Sequence, residues 1–422
     1  MSSTPAESPA SAAAPAASAA TAAPDFPAEA RALADDLIAL RRELHRNPEL
    51  GNDLPETQAR VLAALESLPL EITTGTSLTS VTAVLRGAKP GPTVLLRGDM
   101  DGLPVDEQTG LDFASANGNM HACGHDLHTA GLVGAARLLS AHSDELSGNV
   151  VFMFQPGEEG PGGAAPMIEE GVLDAAGTRA DAAFGVHVLP GEPGTFTTRR
   201  GPLMAGSNIL RVTFHGAGGH GSQPHNALDP VPPLVEYCQA LQVMVTRRFS
   251  VFDPVVLAVT NLSAGEAVNV IPASASMGGS VRTLSQETTT AFPQHAKELA
   301  DSIAAAHGCT AEFSWEVLYP PTLNDPEQAG FTLDTLAQVF GAERVNDAED
   351  PFMGSEDFSF VLQEVPGAFY FLHASPPEID PDTAAMNHSP LVQFDDAVLA
   401  DQAASLAALA FAHNTRASAP QG

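Results

Sequence analysis

The sequence predicts an α/β protein whose mostly parallel sheet is interrupted by a second, smaller unit. Up to about residue 200, short apolar runs that suit buried strands alternate with helical patterns, which indicates parallel strands joined by helices. From residue 203 to 316 the predicted elements follow the order β-α-β-β-α-β, which is that of a ferredoxin-like sandwich. Because α/β material resumes near Pro320, we expect residues 28–202 and 317–416 to form one discontinuous domain.

Composition argues against several classes of partner. The chain has 422 residues, 44% of them apolar, and a formal net charge of −32. Nucleic acids and anionic membranes are polyanions, so neither is expected to bind this chain. No apolar run reaches the roughly 18 residues that a membrane span requires.

The chain start and the cysteines bear on location. Residues 1–27 are almost entirely Ala, Ser, Pro and Thr, and their prolines interrupt any apolar run that a secretory signal would need. This pattern predicts a disordered leader. The three cysteines show no disulfide spacing, which favours a reducing compartment, and the cytoplasm is the expected location.

Polar side chains follow three predicted strands of the α/β domain. The strands are 93–96, 149–154 and 180–186, and the residues that follow them are Asp99, Asp101, Glu158, Glu159 and His187. Ligands of parallel sheets bind beyond the carboxyl ends of the strands, so we expect these side chains to share one site. The alternative is that each turn is simply a solvated loop.

The remaining elements are predicted from apolar periodicity and from turn residues. Helices are expected at 28–46, 127–143, 229–247, 286–307, 331–340 and 397–413. Further strands are expected at 208–214, 255–262, 276–283 and 310–318, and an apolar run occupies 368–372.

The most unusual stretch is His121-Ala-Cys-Gly-His-Asp-Leu-His128, which contains three imidazoles, one thiol and one carboxylate. Burying such groups costs free energy unless they are hydrogen bonded or bound to an ion. Cys123 and His125 are two residues apart, so both side chains can point at one ion. Taken alone, this spacing leaves a metal site and a polar loop equally open.

Together with the strand ends, this stretch provides a set of candidate metal ligands. The set consists of Cys123, His125, Glu159, His187 and His388. Five ligands are too many for one tetrahedral ion and suit two ions that share a bridge, for which the Cys123 thiolate is the candidate. Glu158 directly precedes a ligand, which is where a general base for a water molecule should lie.

Several blocks of the sequence resemble one known family. They are Arg42 to Gly51, His121 to His128, Gln155 to Glu159, Gly354 to Phe358 and His388 to Pro390. These blocks resemble the aminoacylase/carboxypeptidase-type dinuclear metallohydrolases, in particular the amidohydrolase branch of hippurate hydrolases and indole-acetyl-amino-acid hydrolases. The resemblance implies a metal-binding catalytic domain interrupted by a lid or dimerisation domain, two divalent ions per chain, and a homodimer or higher oligomer. The implied reaction is hydrolysis of the amide bond of an N-acyl amino acid.

The resemblance also assigns roles by position. It makes the five candidates above the metal ligands, Glu158 the acid/base, and His220, in Gly216 to His225, the residue that stabilises the oxyanion. It assigns Asn269, Arg282, Gly354 and Ser355 to substrate binding. Two departures, Ala217 in place of a lysine and Leu391-Val392 in place of an aromatic residue, put the acyl and amino-acid preference in doubt.

Other polar residues are expected to support the site. Asp101 and Asp126 are predicted to orient ligands rather than to bind metal, and His121 and His128 to be supporting or structural. Glu356 and Asp357 either cap the following helix or contact substrate. The role of His225 stays open.

Three alternatives to an N-acyl-amino-acid hydrolase remain. A dipeptidase and a deacetylase of a biosynthetic intermediate would use the same catalytic core. A metal-containing binding protein would not need a free carboxylate such as Glu158 beside a complete ligand set. Zinc suits imidazole and thiolate, manganese suits carboxylates, and cobalt or nickel are also compatible with the mixed ligand set.

Overall fold

The computed structural model describes residues 23–418, so residues 1–22 of the predicted leader lie outside it. The first helix begins at Phe26, within the segment assigned to the leader, because the Asp25 carboxylate accepts a hydrogen bond from the Ala28 N–H at 3.1 Å. The Phe26 ring is buried against those of His142 and Phe411, with a centroid distance of 5.7 Å to each.

Helices and strands alternate through the described residues. The helices are α1 Phe26–Ala32, α2 Ala34–Arg46, α3 Pro55–Leu65, α4 His125–Ala141, α5 Ala164–Glu169, α6 Val231–Arg248, α7 Gln286–Ala306, α8 Pro326–Phe340, α9 Ser359–Glu364 and α10 Val398–Ser418. The strands are β1 Leu70–Thr74, β2 Val81–Arg86, β3 Lys89–Asp99, β4 Ser147–Gln155, β5 Ala182–Leu189, β6 Phe196–Thr198, β7 Gly201–Met204, β8 Gly206–His215, β9 Gly219–His220, β10 Val256–Ala264, β11 Val270–Ile271, β12 Ser274–Thr283, β13 Thr310–Tyr319, β14 Thr322–Asn324, β15 Val345–Asp347 and β16 Gly367–His373. Among these helices none combines the length and apolarity of a membrane span.

The main sheet has the strand order β1-β2-β4-β3-β5-β16-β6-β15. Its four central strands, β4, β3, β5 and β16, run parallel, which confirms the predicted α/β class with a mostly parallel sheet. Asp99 pairs with Gln155 and Arg97 with Gly185, so the carboxyl ends of β3, β4 and β5 lie at one edge. The polar residues that follow these strands are therefore brought together.

Two apolar cores cover the faces of the main sheet. One core contains α1, α2, α4 and α10, and the other contains α5 and α9. Helix α4 packs closely on its neighbours: a Cβ added to Gly134 would lie 2.6 Å from the Ala403 Cβ of α10 and 2.9 Å from Leu37 of α2. This packing fixes α4, whose first residue is His125.

Residues 206–319 form a separate four-stranded antiparallel sheet with the order β10-β12-β8-β13. Its elements follow one another in the order β-α-β-β-α-β that the sequence indicates, and α6 and α7 cover one face with their own core. The opposite face carries polar side chains, including Arg282 of β12. The short strands β9 and β11, which the sequence did not predict, pair with each other beside this sheet.

Candidate metal centre

The five candidate ligands come from four separate segments of the α/β domain. Cys123 lies two residues before α4 and His125 is its first residue. His187 lies near the end of β5, and Glu159 and His388 are on loops that follow β4 and β16. Gly124 adopts a φ of +83°, and a Cβ there would lie 2.3 Å from Val188 Cγ2. Only glycine suits this left-handed, crowded position, which lets Cys123 and His125 face the same side.

The structure brings all five candidate ligands together. The Cys123 Sγ atom is 3.3 Å from His187 Nε2, and His388 Nε2 is 3.1 Å from Glu159 Oε1. Among the groups of donor atoms that lie within 4.8 Å of one another, two contain Cys123: one with His125 and His187, and one with Glu159 and His388. Cys123 belongs to both groups, as the bridge between two ions must.

The chemistry of these side chains fits cations. Within residues 23–418, both ring nitrogens of His125 are buried and neither makes a well-formed hydrogen bond. The nearest acidic oxygens are those of Asp101, 3.4 Å from Nδ1, and of Asp99, 3.5 Å from Nε2. Leaving such groups unpaired in an interior costs about 1–3 kcal/mol each, so a cation that they bind would remove the penalty. Thiolate, imidazole and carboxylate are the usual ligands of zinc and related divalent ions.

The electrostatics of the centre also favour added positive charge. Burial and the neighbouring Glu159 raise the pKa of the Cys123 thiol. Contacts with Cys123 and Glu159 raise the pKa of His388 to about 10. In the absence of a cation the cluster therefore tends to hold protons, and metal binding would release them.

Asp101 contacts both the loop of Glu158 and Glu159 and one candidate ligand. Its carboxylate accepts the backbone N–H groups of Glu158 at 3.0 Å and Glu159 at 3.1 Å. It also lies 3.4 Å from Nδ1 of His125. One buried side chain thus positions the acidic loop and a candidate ligand.

His128 is held by protein groups and is not placed to bind an ion. Its Nε2 accepts the Val188 N–H at 2.8 Å, so its Nδ1 carries the proton and donates to Asp99 at 2.5 Å. Both ring nitrogens are therefore occupied by the protein. His121 is also buried, and burial lowers its pKa to about 3, but neither of its ring nitrogens is hydrogen bonded to a residue that the structure describes.

Asp126 differs from its expected role. The ion-pair partners of its buried carboxylate within residues 23–418 are Arg41 at 2.6 Å and His45 at 2.8 Å, and neither is a candidate ligand. The side chain points towards α2, because successive residues of a helix point in different directions and His125 faces the cluster. Asp126 therefore holds α4 against α2 instead of orienting a ligand directly.

A buried arginine organises the acidic residues behind Glu158. Arg97 donates to Asp99 at 2.5 Å, to Glu356 at 2.7 Å and to Asp357 at 2.9 Å. The Glu356 carboxylate also accepts the Phe358 N–H at 2.9 Å directly before α9, so the capping interpretation holds in part for Glu356. It does not hold for Asp357, which accepts the N–H groups of Gly163 and Ala164 at the start of α5. Sequence reasoning missed Arg97, although an arginine inside the apolar run of β3 is a signal for a buried charge network.

Glu158 lies between this network and the ligands. Burial, followed by Glu356, Asp357 and Glu159, raises the pKa of Glu158 well above its ordinary value. The backbone N–H of Asp357 donates to its Oε1 at 3.4 Å. The Tyr319 hydroxyl donates to its carbonyl oxygen at 2.6 Å, a contact that sequence reasoning also missed.

A cavity of about 330 Å³ opens onto the cluster. Glu158 and four of the candidate ligands line it, and the remaining lining residues are Leu189, Met204, Arg282, Tyr319, Gly354, Ser355, Glu356 and Asn387. Arg282 reaches in from β12 and donates to the Ser355 hydroxyl at 3.1 Å. Three of the four predicted substrate-binding residues, Arg282, Gly354 and Ser355, thus lie at the cavity.

His220 and Asn269 lie elsewhere. Both are exposed, and in the described part of the chain they are not among the residues that line this cavity. They are neighbours on the paired strands β9 and β11 and the adjoining loop, where His220 pairs with Val270. Nδ1 of His220 lies 2.8 Å from the Ser222 hydroxyl, which occupies that nitrogen.

The chain is similar to several known proteins over most of its length. A thermostable carboxypeptidase of Saccharolobus solfataricus is 38% identical, over 82% of this chain and 87% of that protein. An N-acetylcysteine deacetylase of Bacillus subtilis is 39% identical, over 81% of this chain and 89% of that protein. A Bacillus subtilis crystal structure, described as a dinuclear metal-binding peptidase, has a TM-score of 0.77 and 34% identity, over 91% of this chain and 99% of that chain.

The family assignment covers the candidate site. Residues 95–412 match the peptidase family M20/M25/M40, and this range includes every candidate ligand and Glu158. It also spans the inserted four-stranded unit. The chain therefore belongs to the M20/M25/M40 peptidase family and is a metal-dependent hydrolase of amide bonds.

Proposed function

We propose that this enzyme hydrolyses the amide bond of N-acyl amino acids to a carboxylic acid and a free amino acid. The observation that carries the proposal is the single cavity that joins the metal cluster, Glu158 and Arg282. An N-acyl amino acid has one amide and one carboxylate, and this cavity offers a group for each. The deacetylase name of a relative that is 39% identical supports the same substrate class.

Cys123, His125, Glu159, His187 and His388 would hold two divalent ions, with Cys123 shared between them. Such ions polarise a carbonyl group and lower the pKa of water. The metal remains open among zinc, manganese, cobalt and nickel, since the ligand set mixes sulfur, nitrogen and oxygen. The similar Bacillus subtilis structure is described as dinuclear, which supports two ions rather than one.

Glu158 would transfer a proton between the attacking water and the leaving amine. Its carboxylate takes a proton from the attacking water and returns it to the nitrogen of the leaving amine. Burial and the neighbouring carboxylates Glu356 and Asp357 raise its pKa, so the side chain binds a proton more readily than an ordinary glutamate. Asp101 and the Asp357 N–H hold the Glu158 loop and carboxylate in place.

Arg282 would bind the carboxylate of the amino-acid half. In the described structure its guanidinium contacts the Ser355 hydroxyl and forms no ion pair with an acidic residue. A guanidinium fork matches the planar geometry of a carboxylate. Gly354 and Ser355 form the adjoining wall of the cavity.

His220 and Asn269 would act in a second copy of the chain. Both belong to the inserted unit, are exposed, and lie outside the cavity of their own chain. A lid that faces the cavity of a partner would let His220 stabilise the oxyanion there and Asn269 contact the substrate. The inserted unit is thus proposed as a ferredoxin-like lid and dimerisation domain, and the enzyme as a homodimer or higher oligomer.

Two other hydrolytic functions compete with this proposal. The carboxypeptidase name of a relative that is 38% identical favours a peptide substrate, and the same cavity would serve a dipeptide. A deacetylase of a biosynthetic intermediate would differ only in the amino-acid half. A binding protein without activity is disfavoured, because the five candidate ligands form the cluster without needing Glu158, whose side chain lines the cavity beside them.

The test is a substrate panel with each metal. Purified protein is loaded with zinc, manganese, cobalt or nickel and given N-acetyl, N-benzoyl and N-indoleacetyl amino acids, free dipeptides, and amides that lack the carboxylate. We expect release of free amino acid from at least one N-acyl series, and little turnover without the carboxylate. Preferential cleavage of unblocked dipeptides would contradict the proposal in favour of a peptidase.

A further inference from the structure

The side chain of Asn387 touches two of the segments that carry candidate ligands and belongs to a third. Its Nδ2 lies 3.2 Å from the Val188 carbonyl, 3.4 Å from the Cys123 carbonyl and 3.6 Å from the Cys123 sulfur. Val188 follows the ligand His187, and Asn387 itself precedes the ligand His388. One amide group therefore joins the loop before α4, the end of β5 and the loop after β16.

The loop that carries His388 depends on such contacts. In the described part of the chain, His388 is the one non-glycine residue with a positive φ, 71°, a conformation that side chains disfavour. Its imidazole is 55% exposed, so packing alone does not fix it. Its N–H donates to the Ala122 carbonyl at 2.9 Å, which ties the same loop to the residue before Cys123.

The contact with sulfur has a chemical consequence. An N–H that points at a thiolate stabilises the charge on sulfur without adding a charge of its own. The amide has only two N–H groups for three acceptors, and flipping it would set the amide oxygen against the Val188 and Cys123 carbonyls.

We propose that Asn387 is a positioning residue. Its amide stabilises the Cys123 thiolate and holds the ligands from three segments at the positions that metal binding requires. This rests on the proposed two-ion centre. Polar groups that contact metal ligands commonly change metal affinity by about 10- to 100-fold when they are removed. We expect an effect of that size from the loss of the Asn387 amide.

The experiment replaces Asn387 by leucine, which keeps a similar shape but has no donor. The matched control is Asn324→Leu, because the buried Asn324 amide also donates to three acceptors, Thr198 Oγ1, Arg199 O and Phe369 O. Asn324 does not line the cavity. If Asn387 contributed only to the stability of the fold, the two variants would show similar affinities for cobalt and similar absorption bands.

Two readouts are taken on dialysed protein: the dissociation constants for cobalt, and the near-ultraviolet absorption that cobalt shows when a thiolate binds it. In Asn387→Leu we expect binding about 10- to 100-fold weaker and an absorption band shifted to longer wavelength, since the sulfur loses a donor. In Asn324→Leu we expect the wild-type constants and band. Asn387→Ser, whose hydroxyl is too short for the three acceptors, should follow Asn387→Leu and replaces it if the leucine variant does not fold.

The outcomes separate this assignment from the proposed function. If wild-type protein shows the thiolate band and the Asn387 variants keep both the band and the affinity, the assignment of Asn387 is overturned and the centre stands. If wild-type protein binds cobalt without a thiolate band, Cys123 is not a ligand and the proposed centre itself fails.

Discussion

The cavity of the α/β domain and the His220 end of the inserted unit differ in how complete they are within one chain. Around the cavity, the candidate ligands from separate segments lie within 4.8 Å in overlapping groups and are supported by buried contacts. At the end of the inserted unit, His220 and Asn269 are exposed, and the nearest partner of the His220 ring is its neighbour Ser222. Under the proposed function, the first region would work within its own chain, whereas the second would need the surface of a partner chain.

The largest effect is expected from Glu158→Gln, which tests the first region. Glutamine keeps the size of the side chain but cannot accept the proton, so turnover should fall by about 10²- to 10⁴-fold. Metal content should stay unchanged, because Glu158 is not a proposed ligand. Steady-state rates and metal analysis of the same preparation measure both.

The control for this variant is Glu170→Gln, since Glu170 is exposed and accepts hydrogen bonds from Thr76 and Ser77 away from the cavity. Near-normal turnover of Glu158→Gln would mean that another carboxylate, Asp101 or Glu356, moves the proton.

Asp126→Asn tests how the first region is held together. Its carboxylate is buried against Arg41 and His45, and weakening one partner of a buried ion pair costs up to about 3–5 kcal/mol. Although burial raises the pKa of Asp126, Arg41 and His45 lower it below the ordinary value. The stabilisation is therefore present at neutral pH and is lost only as the pH falls below about 3.9, the ordinary value for aspartate.

Urea unfolding of the metal-free protein at neutral pH measures this loss. Glu316→Gln is the comparison, because its pair with Arg211 is exposed on both sides and should contribute at most about 1 kcal/mol. Equal stabilities of the two variants would contradict a structural role for the Asp126 network.

His220→Ala tests the second region. If its imidazole stabilises an oxyanion in a partner's cavity, the rate of the chemical step should fall by about 10²- to 10³-fold. Metal content and folding should not change, because His220 is exposed and far from the ligands in sequence. His215→Ala, another exposed histidine of the inserted unit, serves as the control.

Mixing His220→Ala with Glu158→Gln extends this test to the partner subunit. A hybrid dimer contains one cavity with both residues intact, so activity should return after subunit exchange. A strictly monomeric active enzyme, or mixtures that stay inactive after proven exchange, would mean that His220 acts within its own chain or does not take part in catalysis.

The two regions also show what the sequence can predict. Apolar periodicity places most of the longer helices and strands, but it did not predict α3, β1 or β2. The strand ends with Asp99, Glu158 and His187 meet as expected. Contacts between distant segments do not follow from local patterns. Arg97 binds Glu356 across 259 positions and Tyr319 reaches Glu158 across 161, and neither pairing leaves a periodic signal.

Asp126 shows a related limit of sequence reasoning. Its position beside His125 predicted contact with a ligand, yet successive residues at the start of a helix point in different directions. His125 faces the cluster and Asp126 faces Arg41. Neighbours in sequence can therefore belong to separate networks.

The smallest effect is expected from Ser355→Ala, where the cavity meets Arg282 of the inserted unit. The serine hydroxyl accepts a hydrogen bond from Arg282 at 3.1 Å, and a bond to a charged group is worth roughly 1.5–3 kcal/mol at most. Because Arg282 is only half-buried, water replaces part of this bond, and KM should rise a few-fold with little change in kcat. Ser302→Ala on α7, whose hydroxyl bonds within its own helix, should leave KM unchanged.

Metal analysis of the dialysed protein decides whether one chain assembles a complete centre for two ions that share Cys123. We expect close to two equivalents of divalent metal per chain in wild-type protein, because the two donor groups overlap at this sulfur. In Cys123→Ala we expect loss of most of the second equivalent. Tight binding of a single ion, unchanged by that substitution, would contradict the shared centre.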